Sequence, residues 1–148
     1  MIKAVFDANL LVSAFLSRQN PGGASNALLR FVITGAVELY LSVEIVDEAM
    51  EVLIDSPRLS SRYEYSPEQV GQYRADLLTL ATIVDDPLPT PGAVPRDPDD
   101  DKIVACAVAA GVEYLVSRDH DLLSIRSYGN VMIITPEAFL KVMRQRHK

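Results

Sequence analysis

Four aspartates crowd the stretch "RDPDDDKIVACAVAA", residues 96–110: Asp97, Asp99, Asp100 and Asp101 stand directly before an almost wholly apolar run. Like charges this close repel, and each resists leaving water. They either cap a helix or hold something positive. Other acids occupy comparable places. Asp7 follows the apolar "IKAVF", Glu48 lies in "VDEAMEVL", and Asp119 and Asp121 lie in "SRDHDLL". Each has a plain explanation by itself: a helix cap for Asp7, a solvated helix position for Glu48, turn formation for Asp119 and Asp121. One acid suffices to cap a helix and favour its dipole, so three in succession exceed that need. Read together, the acids form an oxygen-donor set of the kind Mg²⁺ and Mn²⁺ prefer. Such a cation lowers the pKa of a bound water and stabilises displacement at phosphorus. The chemistry requires no histidine or cysteine. His120 stands beside Asp119 in sequence and reads as solvent-facing, and Cys106 reads as a small core residue.

Other chemistries fit less well. There is no glycine-rich phosphate loop and no nucleophile elbow. An aspartyl-phosphate enzyme of the haloacid-dehalogenase type would use Asp7 as nucleophile. It also wants an aspartate two residues on, where this chain has Asn9, and a lysine near the later acids, where Lys102 lies on the wrong side of the cluster. A receiver-like domain wants an acid pair after the first strand, which is absent. The alternative from a different class is a non-catalytic module whose acids bind an ion or a partner.

The elements that must position these acids alternate between strand and helix. "IKAVF" (2–6) reads as a buried strand, "DANLLVSAFLS" as a helix, and "NPGG" (20–23) as a turn. "ASNALLRFVITG" is a helix ended by Gly35, and "VELYLS" (37–42) is a strand. The next helix is capped by Ser42 and turns Ile45, Val46, Ala49, Val52 and Leu53 to one face, with Glu48 beside them and partly buried. "SPRLSSRYEYS" reads as a polar connector. "SPEQVGQYRADLLTLATIV" reads as a helix with Ser66 as cap and Pro67 in its first turn. The proline-rich "DDPLPTPGAVPRDP" is a loop. "DDDKIVACAVAAG" is a helix ended by Gly111, "VEYLVS" a strand, "RDHDLLSI" a turn and short helix, "NVMIIT" a strand, and "PEAFLKVMRQRHK" a final helix. This pattern predicts one α/β domain over residues 1–148, with a mostly parallel sheet of four or five strands. In such sheets, sites form beyond the carboxyl ends of the strands, where Asp7 and Asp119 fall.

Composition sets further bounds. The 148 residues fit one domain, and 49% hydrophobic content is enough for a sizeable core. No apolar run approaches the ~20 residues of a membrane span. The N-terminus, with Lys3 and Asp7 inside its apolar stretch, does not resemble a signal peptide, and a single cysteine excludes a disulfide framework. A cytoplasmic protein is expected. The net charge of −6 opposes nucleic-acid binding on its face, unless the acids are gathered in one site and neutralised by a cation.

The blocks "AVFDANLLVSAFLS", "YLSVEIVDEAMEVL", "RDPDDDKIVACAVAAGVEYLVSRDHDLL" and "VMIITPEAFL" resemble the PIN-domain family, in the branch of toxin components of toxin–antitoxin pairs. The resemblance covers nearly the whole chain, and its third block is the most specific. It implies a three-layer α/β/α sandwich and an acidic quartet that binds Mg²⁺ or Mn²⁺ and hydrolyses RNA. The first acid matches Asp7, with Asn9 as companion, and the second matches Glu48, ahead of Glu44 and Glu51. The third is Asp100 by the "DPxDN" pattern of similar chains, or Asp101 by the alignment of shorter PIN toxins. The fourth is Asp119, with Ser117 in place of a common threonine and Asp121 as a frequent second acid. Arg18, Lys102, Arg118 and Arg126 are candidate RNA contacts by position. The resemblance also implies an antitoxin partner, and often a homodimer.

Overall fold

The computed structural model describes residues 1–18, 22–85, 93–94 and 100–146. Asp97, Asp99, the first half of the "NPGG" reading and most of the proline-rich reading lie outside them. Among the described residues the strands are β1 (Ile2–Phe6), β2 (Val37–Leu41), β3 (Thr82–Ile83), β4 (Tyr114–Val116), β5 (Ser127–Tyr128) and β6 (Val131–Ile134). The helices are α1 (Ala8–Leu16), α2 (Ala24–Ile33), α3 (Val43–Asp55), α4 (Pro57–Tyr63), α5 (Pro67–Leu80), α6 (Asp101–Ala110), α7 (His120–Ile125) and α8 (Pro136–Arg146).

The strands form one sheet in the order β3-β2-β1-β4-β6-β5, parallel throughout except for the β5–β6 pair. Ala4, Val5 and Phe6 are consecutive and all buried, so the central strand is covered on both faces. On one face Phe139 of α8 packs edge-on to Phe6, with ring centres 6.1 Å apart, and against Tyr114. Helices on both sides complete a three-layer α/β/α sandwich.

The chain builds outward from β1 to β2 and β3, then returns to the other side of β1 for β4. That reversal opens a crevice at the carboxyl edge, between β1 and its neighbours. Register fixes what meets there. Phe6 pairs with Val116 and Val5 with Tyr40. One residue further on, Asp7 stands level with Ser117, and its N–H donates to the Val116 carbonyl at 3.2 Å.

Several sequence expectations need correction. The segment read as a polar connector is α4, started by Ser56 and Pro57 in the same Ser-Pro arrangement that starts α5. The α5 helix stops at Leu80, because Thr82 and Ile83 pair with Tyr40 and Leu41 as an edge strand. The sheet has six strands because β3 and β5 contribute two residues each, too short for a periodic signal. On α3, Met50 joins the buried face, while Val52 is 37% exposed.

Candidate active site

Asp7 ends β1 and caps α1. Its Oδ1 accepts the Leu10 N–H at 2.9 Å, as a good N-cap should. Its Oδ2 accepts the Ser117 hydroxyl. Asp7 is only 6% exposed, and burial pushes its pKa above the ordinary 3.8. The Ser117 and Leu10 hydrogen bonds pull it down, the charge of Asp119 pushes it up, and Arg118 pulls it down slightly.

Ser117 is fully buried and joins two parts of the site. Its Oγ donates to Asp7 and accepts the Asp119 N–H at 2.9 Å. Asp119 caps α7, its Oδ1 accepting the Asp121 N–H at 3.0 Å. Asp121 therefore acts on Asp119 through its backbone, and one hydroxyl sets the spacing of Asp7 and Asp119.

The α3 helix starts at Ser42, whose Oγ accepts the Ile45 N–H at 3.2 Å. It presents Glu44, Asp47, Glu48 and Glu51 at helical spacing i, i+3, i+4, i+7, so one face of the helix carries four carboxylates. Glu48 is exposed, where partial burial was expected from its neighbour Ala49. Ala49 faces the core, and Glu48 is rotated away from it towards the cleft.

These parts border one open cleft of about 470 Å³, lined by Asp7, Ala8, Asn9, Glu44, Ile45, Asp47, Glu48, Glu51, Asp100, Lys102, Ile103 and Asp119. The expected Asp7, Glu48, Asp100 and Asp119 all border it, from four separate places in the chain. Asp101 does not. Its Oδ1 accepts the Val94 N–H at 2.7 Å. Asp100 stands at the start of α6 without making a side-chain cap, so capping does not turn its carboxylate towards the helix. Asn9 is exposed on the cleft wall, and Ser117 lies buried behind Asp7.

Among the described residues, seven acidic side chains line this cleft, against one lysine. Glu44 pairs with that Lys102 at 3.7 Å, bridging α3 and α6, and Asp47 pairs with Arg74 of α5 at 3.2 Å. Asp47 is not among the expected site residues, and its spacing from Glu44, Glu48 and Glu51 on α3 is the sequence signal that points to it. Among the described residues, no three acidic, histidine or cysteine side chains stand together as a chelating group. The carboxylates surround the cleft without closing on one point.

Of the four cations read as RNA contacts, Lys102 alone borders the cleft among the described residues. Arg18 lies beyond the far end of α1, stacked 4.0 Å over the Phe15 ring, with Nη1 donating to the Phe15 carbonyl. Arg118 is held by Glu137 of α8 through two contacts, at 2.8 and 2.5 Å. Arg126 ends α7 with a φ of +62°. His120 is exposed, and Cys106 is buried with its thiol pushed up to about 11 by burial.

Residues 3–121 match the family model described as PIN domain. The chain belongs to the PIN-domain family. No curated protein matches it. PIN domains are nuclease folds, and the acidic cleft lies within the matched residues. The α8 helix lies beyond them, yet it supplies Phe139 to the core and Glu137 to the loop that carries Asp119. No described helix is long and apolar enough to cross a membrane.

Proposed function

We propose that this PIN domain is a metal-dependent endoribonuclease that hydrolyses RNA phosphodiester bonds. We further propose that it is the toxin of a cytoplasmic toxin–antitoxin pair. One observation carries the nuclease reading: Asp7, Glu48, Asp100 and Asp119 border a single cleft at the carboxyl edge of the sheet. The donor chemistry fits Mg²⁺ or Mn²⁺, since among the described residues the lining offers hard carboxylate oxygens and neither thiolate nor imidazole. Burial and the neighbouring Asp119 make the charge on Asp7 unfavourable, and a cation is what offsets both. Asp7, Glu48, Asp100 and Asp119 are the residues that would hold it. When bound, the cation lowers the pKa of water and offsets charge on the phosphate.

The protein groups do the positioning. Leu10 and Ser117 fix both oxygens of Asp7, and Asp121 fixes Asp119. Seven carboxylates repel an RNA backbone, so the cleft admits its substrate only with its charge neutralised. Lys102, paired with Glu44 at the mouth, is the cation best placed to meet a phosphate there. An aspartyl-phosphate enzyme is disfavoured, because Asn9 stands two residues after Asp7, where such an enzyme wants a second aspartate.

The test is RNA cleavage with and without Mn²⁺, by wild type and by Asp7→Asn. Equal activity of the two proteins under Mn²⁺ sinks the nuclease reading. Co-purification with the product of the neighbouring gene tests the antitoxin partner, and gel filtration tests the homodimer.

A further inference from the structure

The consecutive acids Asp100 and Asp101 part company in the fold. Asp100, Lys102 and Ile103 line the cleft. Asp101, between them in the first turn of α6, accepts the backbone N–H of Val94 at 2.7 Å. Val94 is 1% exposed and its neighbour Ala93 is 8% exposed, and both belong to the hydrophobic core although neither lies in a helix or strand. A buried N–H without a ladder or helix partner needs an acceptor from elsewhere. A carboxylate is a strong one, and the 2.7 Å separation is that of a charge-assisted hydrogen bond. The same bond fixes the Asp101 carboxyl on Val94.

We propose that Asp101 is a positioning residue. It ties the Ala93–Val94 segment onto the start of α6, and through that tie holds Asp100 at the cleft. The proposal rests on the nuclease reading for the role of Asp100, but the tie itself does not. An amide at position 101 keeps an oxygen able to accept from Val94, whereas an alanine does not. Asp101→Asn therefore preserves the tie and removes only the charge, and Asp101→Ala removes both.

Two measurements on the folded, full-length chain decide the matter. The first is amide hydrogen exchange at Val94 without metal. Asp101→Ala should speed it on the order of tenfold, as expected for a lost charge-assisted hydrogen bond, and Asp101→Asn should stay close to wild type. Equal exchange in wild type and Asp101→Ala overturns the tie. The second is a Mn²⁺ titration. Asp101→Asn should keep the wild-type affinity within about threefold, while Asp100→Asn should weaken it by about tenfold or more. Equal weakening by the two asparagine variants overturns the positioning role and makes Asp101 a ligand. Were the wild type to bind no Mn²⁺, the nuclease reading would fail, and the exchange comparison would still decide the tie.

Discussion

Two helix starts in this protein do the same local job at different expense. The α5 helix begins with Ser66, whose Oγ accepts the Gln69 N–H while the Gln69 side chain accepts the Ser66 N–H. That capping box is neutral and set among exposed residues. The α1 helix begins with Asp7, which caps Leu10 with equal competence but buries a carboxylate near Asp119. A serine or asparagine would cap α1 without the desolvated charge. On the proposed nuclease reading, an acid at a position where a neutral cap would serve the fold is held there for chemistry, with stability given up for it.

The largest effect should come from removing that charge. Asp7→Asn should lower Mn²⁺-dependent RNA cleavage by on the order of a hundredfold or more, since losing a ligand exceeds the loss of an outer-shell partner. The same change should raise the melting temperature of the metal-free protein by about 2–4 °C, because asparagine still caps Leu10, and removing the desolvated charge outweighs the Ser117 hydrogen bond that its amide group cannot accept. Differential scanning calorimetry checks this, and a lower melting temperature would remove the basis for the comparison. The pH dependence follows from the sign of the shift. Burial raises the folded-state pKa of Asp7 above 3.8. Its stabilising contribution is therefore complete below 3.8 and is lost as pH rises through the raised value. The gap in melting temperature between Asp7→Asn and wild type should narrow as pH falls from neutral into that window.

Ser117→Ala ranks next. It removes the hydroxyl that donates to Asp7 and accepts from the Asp119 backbone. Cleavage should fall about tenfold to a hundredfold, the usual range for a group that orients metal ligands. The Ser117 hydrogen bond holds the Asp7 pKa down, so its loss should raise that pKa further. The pH at which the melting curve changes slope should then move upward. An unmoved profile would mean that the hydroxyl does not restrain Asp7.

What the sequence made legible follows the same physics. That Asp7, Glu48 and Asp119 border one cleft could be read because each sits at a fixed offset from a strand or on a periodic helix. The parallel sheet could be read from the alternation of strand and helix along the chain, borne out by the parallel pairs of β1, β2, β4 and β6. The α4 helix was missed although Ser56-Pro57 carries the same start signal as Ser66-Pro67, because its seven residues bury no side chain and so show no apolar stripe. The short strands β3 and β5 exist only through their partners. The separation of Asp100 from Asp101 was invisible for a related reason: it depends on the Val94 N–H, a backbone group seven residues away. The Arg118–Glu137 pair likewise joins residues that only the fold brings together.

The smallest effect sharpens the comparison from its other side. Ser66→Ala breaks the capping box that starts α5. It should cost about 1 kcal/mol, the usual loss for a serine cap, and lower the melting temperature by a few degrees. Ser66 is not among the residues lining the cleft, and its bonds are local. Cleavage per folded molecule should therefore equal wild type. The two caps would then move oppositely in both measurements: Asp7→Asn more stable and inactive, Ser66→Ala less stable and active. Parallel behaviour would break the contrast, because stability alone would then account for the loss of cleavage in both. Opposite behaviour would assign the buried charge of Asp7 to chemistry and the neutral box of Ser66 to the fold.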